Sequence, residues 1–242
     1  VLNCLKRARL TLQAKKSQLC CTQLKYMGHV VTAQDVKPDP EKVTAIENYP
    51  EPKTVKLLQY FLGMAGWYYH YMPHFSENFS VPLSELKKGK GKAWQWATVH
   101  QESFQELKEK LMSSPILGYP NFNATFIIQT DASNKELETV LWQNGNEGED
   151  VITYSSHSLT SQETHYNTTE QECLAAVWAV KQWRHYVEGH HFEVITDHAA
   201  LTLLFNFTKP TSTLVRRALW LQEFKFDVKY HKGTFKPCAK CL

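Results

Sequence analysis

Two segments of this chain end the same way. "TFIIQTDAS" (Thr125–Ser133) carries Phe126-Ile127-Ile128-Gln129 into Thr130-Asp131, and "FEVITDHAAL", beginning at Phe192, carries Phe-Glu-Val-Ile into Thr196-Asp197. Short runs of aromatic and β-branched residues read as buried strands. A carboxylate that closes such a run is costly to bury, so it belongs at a sheet edge. Between the two lies "TEQECLAAVWAVKQWRHYV", in which Ala176, Val180, Trp183 and Val187 share one face of a helix over about 164–187. The pattern therefore allows two carboxylates at one edge of a sheet, with Glu172 in the first turns of the helix between them.

The neighbouring segments extend this frame. Strands are expected at 125–131, 138–143, 151–156, 192–197 and 224–231, with helices over about 199–222. Three neighbouring strands, a crossover helix and a further strand make a mixed sheet with helices on it, an α/β architecture. The first half reads as α+β. "LKYMGHVVTAQDVKPDP" (Leu24–Pro40) is a short strand pair turning at Gly28. Asp39-Pro40-Glu41 supplies an N-cap, a proline at the first helical position and an acidic first turn for the helix "EKVTAIENY". A second helix is expected from Pro52, with Val55, Leu58, Phe61 and Leu62 at helical spacing, running on into Trp67, Tyr68, Tyr69 and Tyr71. Lys53 and Lys56 flank that aromatic cluster. The rings suit stacking on nucleic acid, and they equally suit the core of a helix pair. "LKKGKGK" (Leu86–Lys92) is a basic linker, and "FQELKEKLMSSPIL" is an amphipathic helix stopped by Pro115, which places a domain boundary near 112–122.

Charge is uneven along the 242 residues. Residues 1–120 hold 16 Lys+Arg against 10 Asp+Glu, and the remainder 11 against 14. A basic half joined to one with an acidic cluster suits a protein that holds a polyanion and cuts it with metal ions. No apolar run approaches the roughly 20 residues of a membrane span, and no basic-then-apolar leader opens the chain, so an intracellular, non-secreted setting is expected. Cys238-Ala239-Lys240-Cys241 is a lone CxxC without the second ligand pair that zinc requires.

Asp131, Glu172 and Asp197 together match a known chemistry. Carboxylates gathered at strand ends and a helix start share Mg²⁺ ions, which demand oxygen ligands. Two such ions about 3.5–4 Å apart activate a water and stabilise a leaving phosphodiester oxygen. Each residue alone has another use: a strand-end Asp serves as a turn or cap, and a Glu early in a helix complements its dipole.

At this level of detail the chain resembles the C-terminal part of the Pol reverse transcriptase of gypsy-type long-terminal-repeat retrotransposons and retroviruses. The residues from Leu24 to Phe75 are similar to the end of the palm, including the primer-grip region, followed by the thumb. "WQWATVHQESFQELKEKLMSSPILGYPNF" is similar to the connection. "FIIQTDAS", "YNTTEQECLAAVWAVKQWRHYVEGHHFEVITDHAAL" and "RRALWLQEFKFDVKYHKG" are similar to the RNase H domain. The resemblance implies a palm end at 1–38, thumb-like helices at 39–90, a connection at 91–121 and an RNase H-like domain with a five-stranded mixed sheet at 122–242. It implies two-metal hydrolysis of the RNA strand of RNA–DNA hybrids by Asp131, Glu172 and Asp197, with Mg²⁺ or Mn²⁺. It assigns nucleic-acid contacts to Lys25, Tyr26, Met27 and Gly28, with Lys53 and Lys56 nearby. RNA-directed DNA synthesis is implied only for a full-length protein, with polymerase and integrase domains as its further parts.

Three departures stand against that pattern. The polymerase motif Tyr-x-Asp-Asp is absent. The fourth carboxylate expected near the end is replaced by Lys240, a cation where a metal would sit. Glu136 and Glu138 stand where the family has glycines, and Glu138 is a weak candidate for a substitute ligand. His231 is either an aid to product release or a plain strand-end residue. A decayed or co-opted relic that binds nucleic acid or a protein without cutting is the alternative function.

Overall fold

The computed structural model describes residues 2–13, 15, 17–33, 35–73, 75, 83, 86, 94–113, 117–145, 148–198 and 219–231. A short helix, α1 (Leu2–Arg7), precedes a small antiparallel sheet of β1 (Leu24–Tyr26), β2 (His29–Val31), β3 (Asp35–Pro38) and β4 (Leu117–Gly118), ordered β1-β2-β3-β4. The β1–β2 turn is Met27-Gly28, both at positive φ, 47° and 78°. That geometry is costly for methionine and natural for glycine. Two rings 40 residues further along the chain brace it: Tyr68 Oη donates to the Gly28 carbonyl at 2.8 Å and Trp67 Nε1 to the Met27 carbonyl at 2.9 Å.

The expected capping of α2 (Pro40–Glu47) is present, with the Asp39 carboxylate accepting from the Glu41 N–H. The next helix, α3 (Val55–Ala65), begins three residues later than Pro52. Thr54 decides this, because its hydroxyl accepts from the Leu57 N–H and leaves Pro52 and Lys53 outside the helix. The aromatic run continues as a 3₁₀ segment, Gly66–Tyr71. Tyr68 and Tyr71 are buried whereas Trp67 is exposed, so the cluster is chiefly core. Helix α4 (Thr98–Met112) packs back on α2, and its Lys108 ammonium reaches the carbonyls of Glu47, at 2.9 Å, and Tyr49.

The second sheet is the expected five-stranded mixed one, ordered β7-β6-β5-β8-β9. β5 (Phe126–Ala132), β6 (Glu136–Gly145) and β7 (Gly148–Ser158) are antiparallel neighbours, while β8 (Phe192–Thr196) and β9 (Phe226–Tyr230) run parallel to β5. Helix α5 (Thr168–Gln182) covers one face, with Ala175, Ala176 and Ala179 allowing close approach to the strands. It starts later than the expected 164 because Asn167 caps it, accepting from the Glu170 N–H while the Glu170 carboxylate accepts from Asn167. The chain then breaks at Trp183 into a short α6 (Arg184–Val187). The 199–222 helices fall largely outside the described residues.

The sheet's other face is covered along β6 and β7. Val140, Val151 and Tyr154 share a core with Phe61, Tyr71, Leu107 and Leu111 of the first half. Phe126, Ile128, Phe192 and Val194 pack with α5 on the opposite side. No helix among the described residues is long and apolar enough to cross a membrane.

Candidate metal centre

β5 and β8 pair in parallel register, with Gln129 beside Ile195. Asp131 and Asp197, each two residues further on, therefore emerge side by side at one sheet edge. Beneath them, α5 brings Glu172 to the same place. Asp131, Glu172 and Asp197 each offer a carboxylate oxygen, and these three atoms lie within 4.8 Å of one another. Glu172 is buried, Asp131 half-buried and Asp197 exposed, so the cluster opens to solvent on one side.

Burial holds the Glu172 carboxyl up at a pKa of about 8, and the negative charges of Asp197 and then Asp131 push it the same way; a backbone hydrogen bond from Ala132 works against them. Its Oε2 is buried with no hydrogen-bond partner. Three converging carboxylates and an orphaned buried oxygen form an all-oxygen donor set, the chemistry that suits a hard divalent cation. The residues present fit such an ion.

Local bonds set the loop after β8. The His198 N–H donates to Thr196 Oγ1 at 3.1 Å, and the His231 N–H to the Thr196 carbonyl at 3.0 Å. A small cavity of about 10 Å³ is lined by Asp131, Asp197, Thr130, Thr196 and His231. His231 thus stands at the edge of the cluster. His198 lies 3.5 Å from Thr169 Oγ1 in the first turn of α5, a link the sequence reading missed. The Asn167–Glu170 cap was readable from "NTTE" and was missed as well.

Glu136 and Glu138 are both buried, with Glu138 paired across the strands from Asp131 and Glu136 from Ser158. Among the described residues the oxygen cluster comprises Asp131, Glu172 and Asp197, so Glu138 does not join it. Lys240 lies outside the described residues. Of the residues read as nucleic-acid contacts, Tyr26 and Met27 are exposed on the β1–β2 turn, together with Trp67 and Tyr60. Lys53 and Lys56 are exposed, the latter 5.9 Å from the Tyr60 ring centroid. Lys25 is already engaged, at 2.7 Å from Glu41 and 3.2 Å from Asp39. Those partners raise its pKa, the Glu41 hydrogen bond most.

Residues 121–224 match the RNase H-like domain found in reverse transcriptase. The retrovirus-related Pol polyprotein from transposon 297 of Drosophila melanogaster is 36% identical over 235 residues, covering 97% of this chain and 22% of that protein. The corresponding polyprotein from transposon 412 is 35% identical, covering 96% and 19%. The chain thus spans about a fifth of these relatives' length. A structure of the foamy viral protease-reverse transcriptase in complex with RNA/DNA hybrid superposes with a TM-score of 0.78 at 23% identity, over 92% of this chain and 31% of that one. Residues 121–224 thus carry the RNase H-like domain found in reverse transcriptase, and nearly the whole chain is similar to one segment of retrovirus-related Pol polyproteins.

Proposed function

We propose that the chain hydrolyses the RNA strand of RNA–DNA hybrids at Asp131, Glu172 and Asp197, with two Mg²⁺ or Mn²⁺ ions. The convergence of three carboxylates at the end of paired parallel strands carries this reading. When bound, the ions supply an activated water and charge stabilisation for the leaving oxygen. Asp131 and Asp197 hold their carboxylates at fixed separation on adjacent strands, and α5 presents Glu172 from below. The raised pKa of Glu172 keeps that carboxyl largely protonated at neutral pH until a cation displaces the proton. His231 borders the same opening and is placed to meet a departing product.

The reading divides the chain as the end of a palm (1–38), thumb-like helices (39–90), a connection (91–121) and the RNase H-like domain (122–242). The exposed Tyr26, Met27, Lys53 and Lys56 border the hybrid in this arrangement. Lys25 contributes through α2 rather than as a free cation. RNA-directed DNA synthesis belongs to a parent protein that also carries polymerase and integrase parts.

A second reading, binding without catalysis, is favoured by Glu138, a buried carboxylate directly across from Asp131. Cleavage of a labelled hybrid with Mg²⁺ or Mn²⁺ separates the two. Cutting by the native chain and none by Asp131→Asn supports the nuclease. Salt-dependent binding, indifferent to EDTA and without cutting, supports the alternative.

A further inference from the structure

The two halves meet where the 3₁₀ segment Gly66–Tyr71 lies against β7, beside a cleft of about 640 Å³. His70 is one polar joint in this seam, beside Tyr69, whose hydroxyl is hydrogen-bonded to Ser155 of β7 and to Gln182. Its Nδ1 lies 3.3 Å from the Tyr154 carbonyl and 3.2 Å from Thr153 Oγ1. The Thr153 hydroxyl donates to the same carbonyl at 3.2 Å. A carbonyl only accepts, so the proton of the neutral ring sits on Nδ1, and Nε2 is the basic nitrogen.

Groups that titrate reach the cleft from several elements: Tyr26 from β1, His29 from β2, Tyr69 and Tyr71 from the 3₁₀ segment, and His185 and Tyr186 from α6. No Asp, Glu, Lys or Arg lines it among the described residues, so a proton gained there meets no carboxylate. His29 stacks on Tyr71 at 5.7 Å, so a second imidazole faces the same space. Burial, reinforced by the charge His29 would carry, holds the His70 pKa below that of a free imidazole; the Tyr154 carbonyl opposes this.

We propose that His70 is a pH-sensitive joint, which while neutral ties the thumb-region turn to the RNase H-like sheet and on protonation releases the seam. The charged ring leaves the half-buried site for water, taking with it the bond to Tyr154. Linkage fixes the direction. The opened state binds the proton near the ordinary histidine pKa of about 6.5 and the closed state only below it. Closure is therefore complete above that value, and opening becomes up to about tenfold more favourable per pH unit as pH falls toward the closed-state pKa.

Hydrogen exchange of the full chain between pH 7 and 5.5, corrected for intrinsic rates, tests this. Amides of residues 66–71 and 153–155 should lose protection, by a factor of up to about eight, while β8 keeps its own. His70→Asn should abolish the extra loss, and His29→Asn should raise the His70 pKa. Equal loss in His70→Asn overturns the proposal. Should that variant not fold, the imidazole titration of the native chain by NMR decides: a His70 pKa at or above the free value sinks it, and a lower one with loss of protection upholds it.

Discussion

Glu172→Gln in metal-free buffer isolates the electrostatic cost built into the carboxylate cluster. The Glu172 pKa rises from 4.5 to about 8 on folding. The native state therefore holds more protons than the unfolded chain between those values, and stability falls as pH rises through the window. At ~1.4 kcal/mol per pKa unit, the ceiling is about 5 kcal/mol, reached above pH 8. Near pH 7 the cost is about 3 kcal/mol, and near pH 5 it is under about 1 kcal/mol. A glutamine carries no titrating proton, so the variant lacks this slope. Any change in hydrogen bonding at the orphaned oxygen adds a constant offset. Urea midpoints followed by tryptophan fluorescence in EDTA, from pH 5 to 9, give both profiles. The wild type should lose a few kcal/mol relative to Glu172→Gln across the range, and Mg²⁺ at pH 8 should restore much of it to the wild type alone. Parallel profiles would refute the argument, because they would mean that Glu172 is neither desolvated nor opposed by Asp197 and Asp131.

Further outcomes follow from the packing. Gly28→Ala must place a Cβ 2.9 Å from Tyr68 Oη at φ 78°, and should cost about 1–2 kcal/mol of stability in thermal melts. Lys108→Met leaves the Glu47 and Tyr49 carbonyls without their ammonium donor, for a loss of about 1–3 kcal/mol in urea titration. Tyr154→Ala empties a site in the core shared by both halves, and should lower stability by about 3–5 kcal/mol in one cooperative transition rather than two.

How much of this was legible depends on how local each signal is. The Thr-Asp strand ends, the Asp39 cap and the inward face of α5 were readable because they rest on period and on neighbours within a few residues. The Gly28 turn was visible for the same reason, but its braces came from Trp67 and Tyr68, 40 positions away. The engagement of Lys25 by Asp39 and Glu41 was equally hidden, since a lysine beside an exposed turn reads as a free cation until the fold closes. The burial of Glu136 and Glu138 could not be read from a segment whose alternation suits a strand but whose charges argue against its interior.

The boundary shows most clearly what a linear reading omits. A basic stretch near 86–92 and a Pro-stopped helix mark a linker by composition, and they suggest two modules joined by a tether. In the fold, β4, just before the RNase H-like sheet in sequence, pairs with β3 of the first sheet, and Val140, Val151 and Tyr154 belong to the first half's core. Strands β6 and β7 are buried on both faces and need a partner for each; here one face takes α5 and the other takes α3, α4 and the 3₁₀ segment. The carboxylate edge is thereby held at a set position relative to the exposed Met27-Gly28 turn. The same contact makes the seam at His70 a place where a single proton can act on both halves.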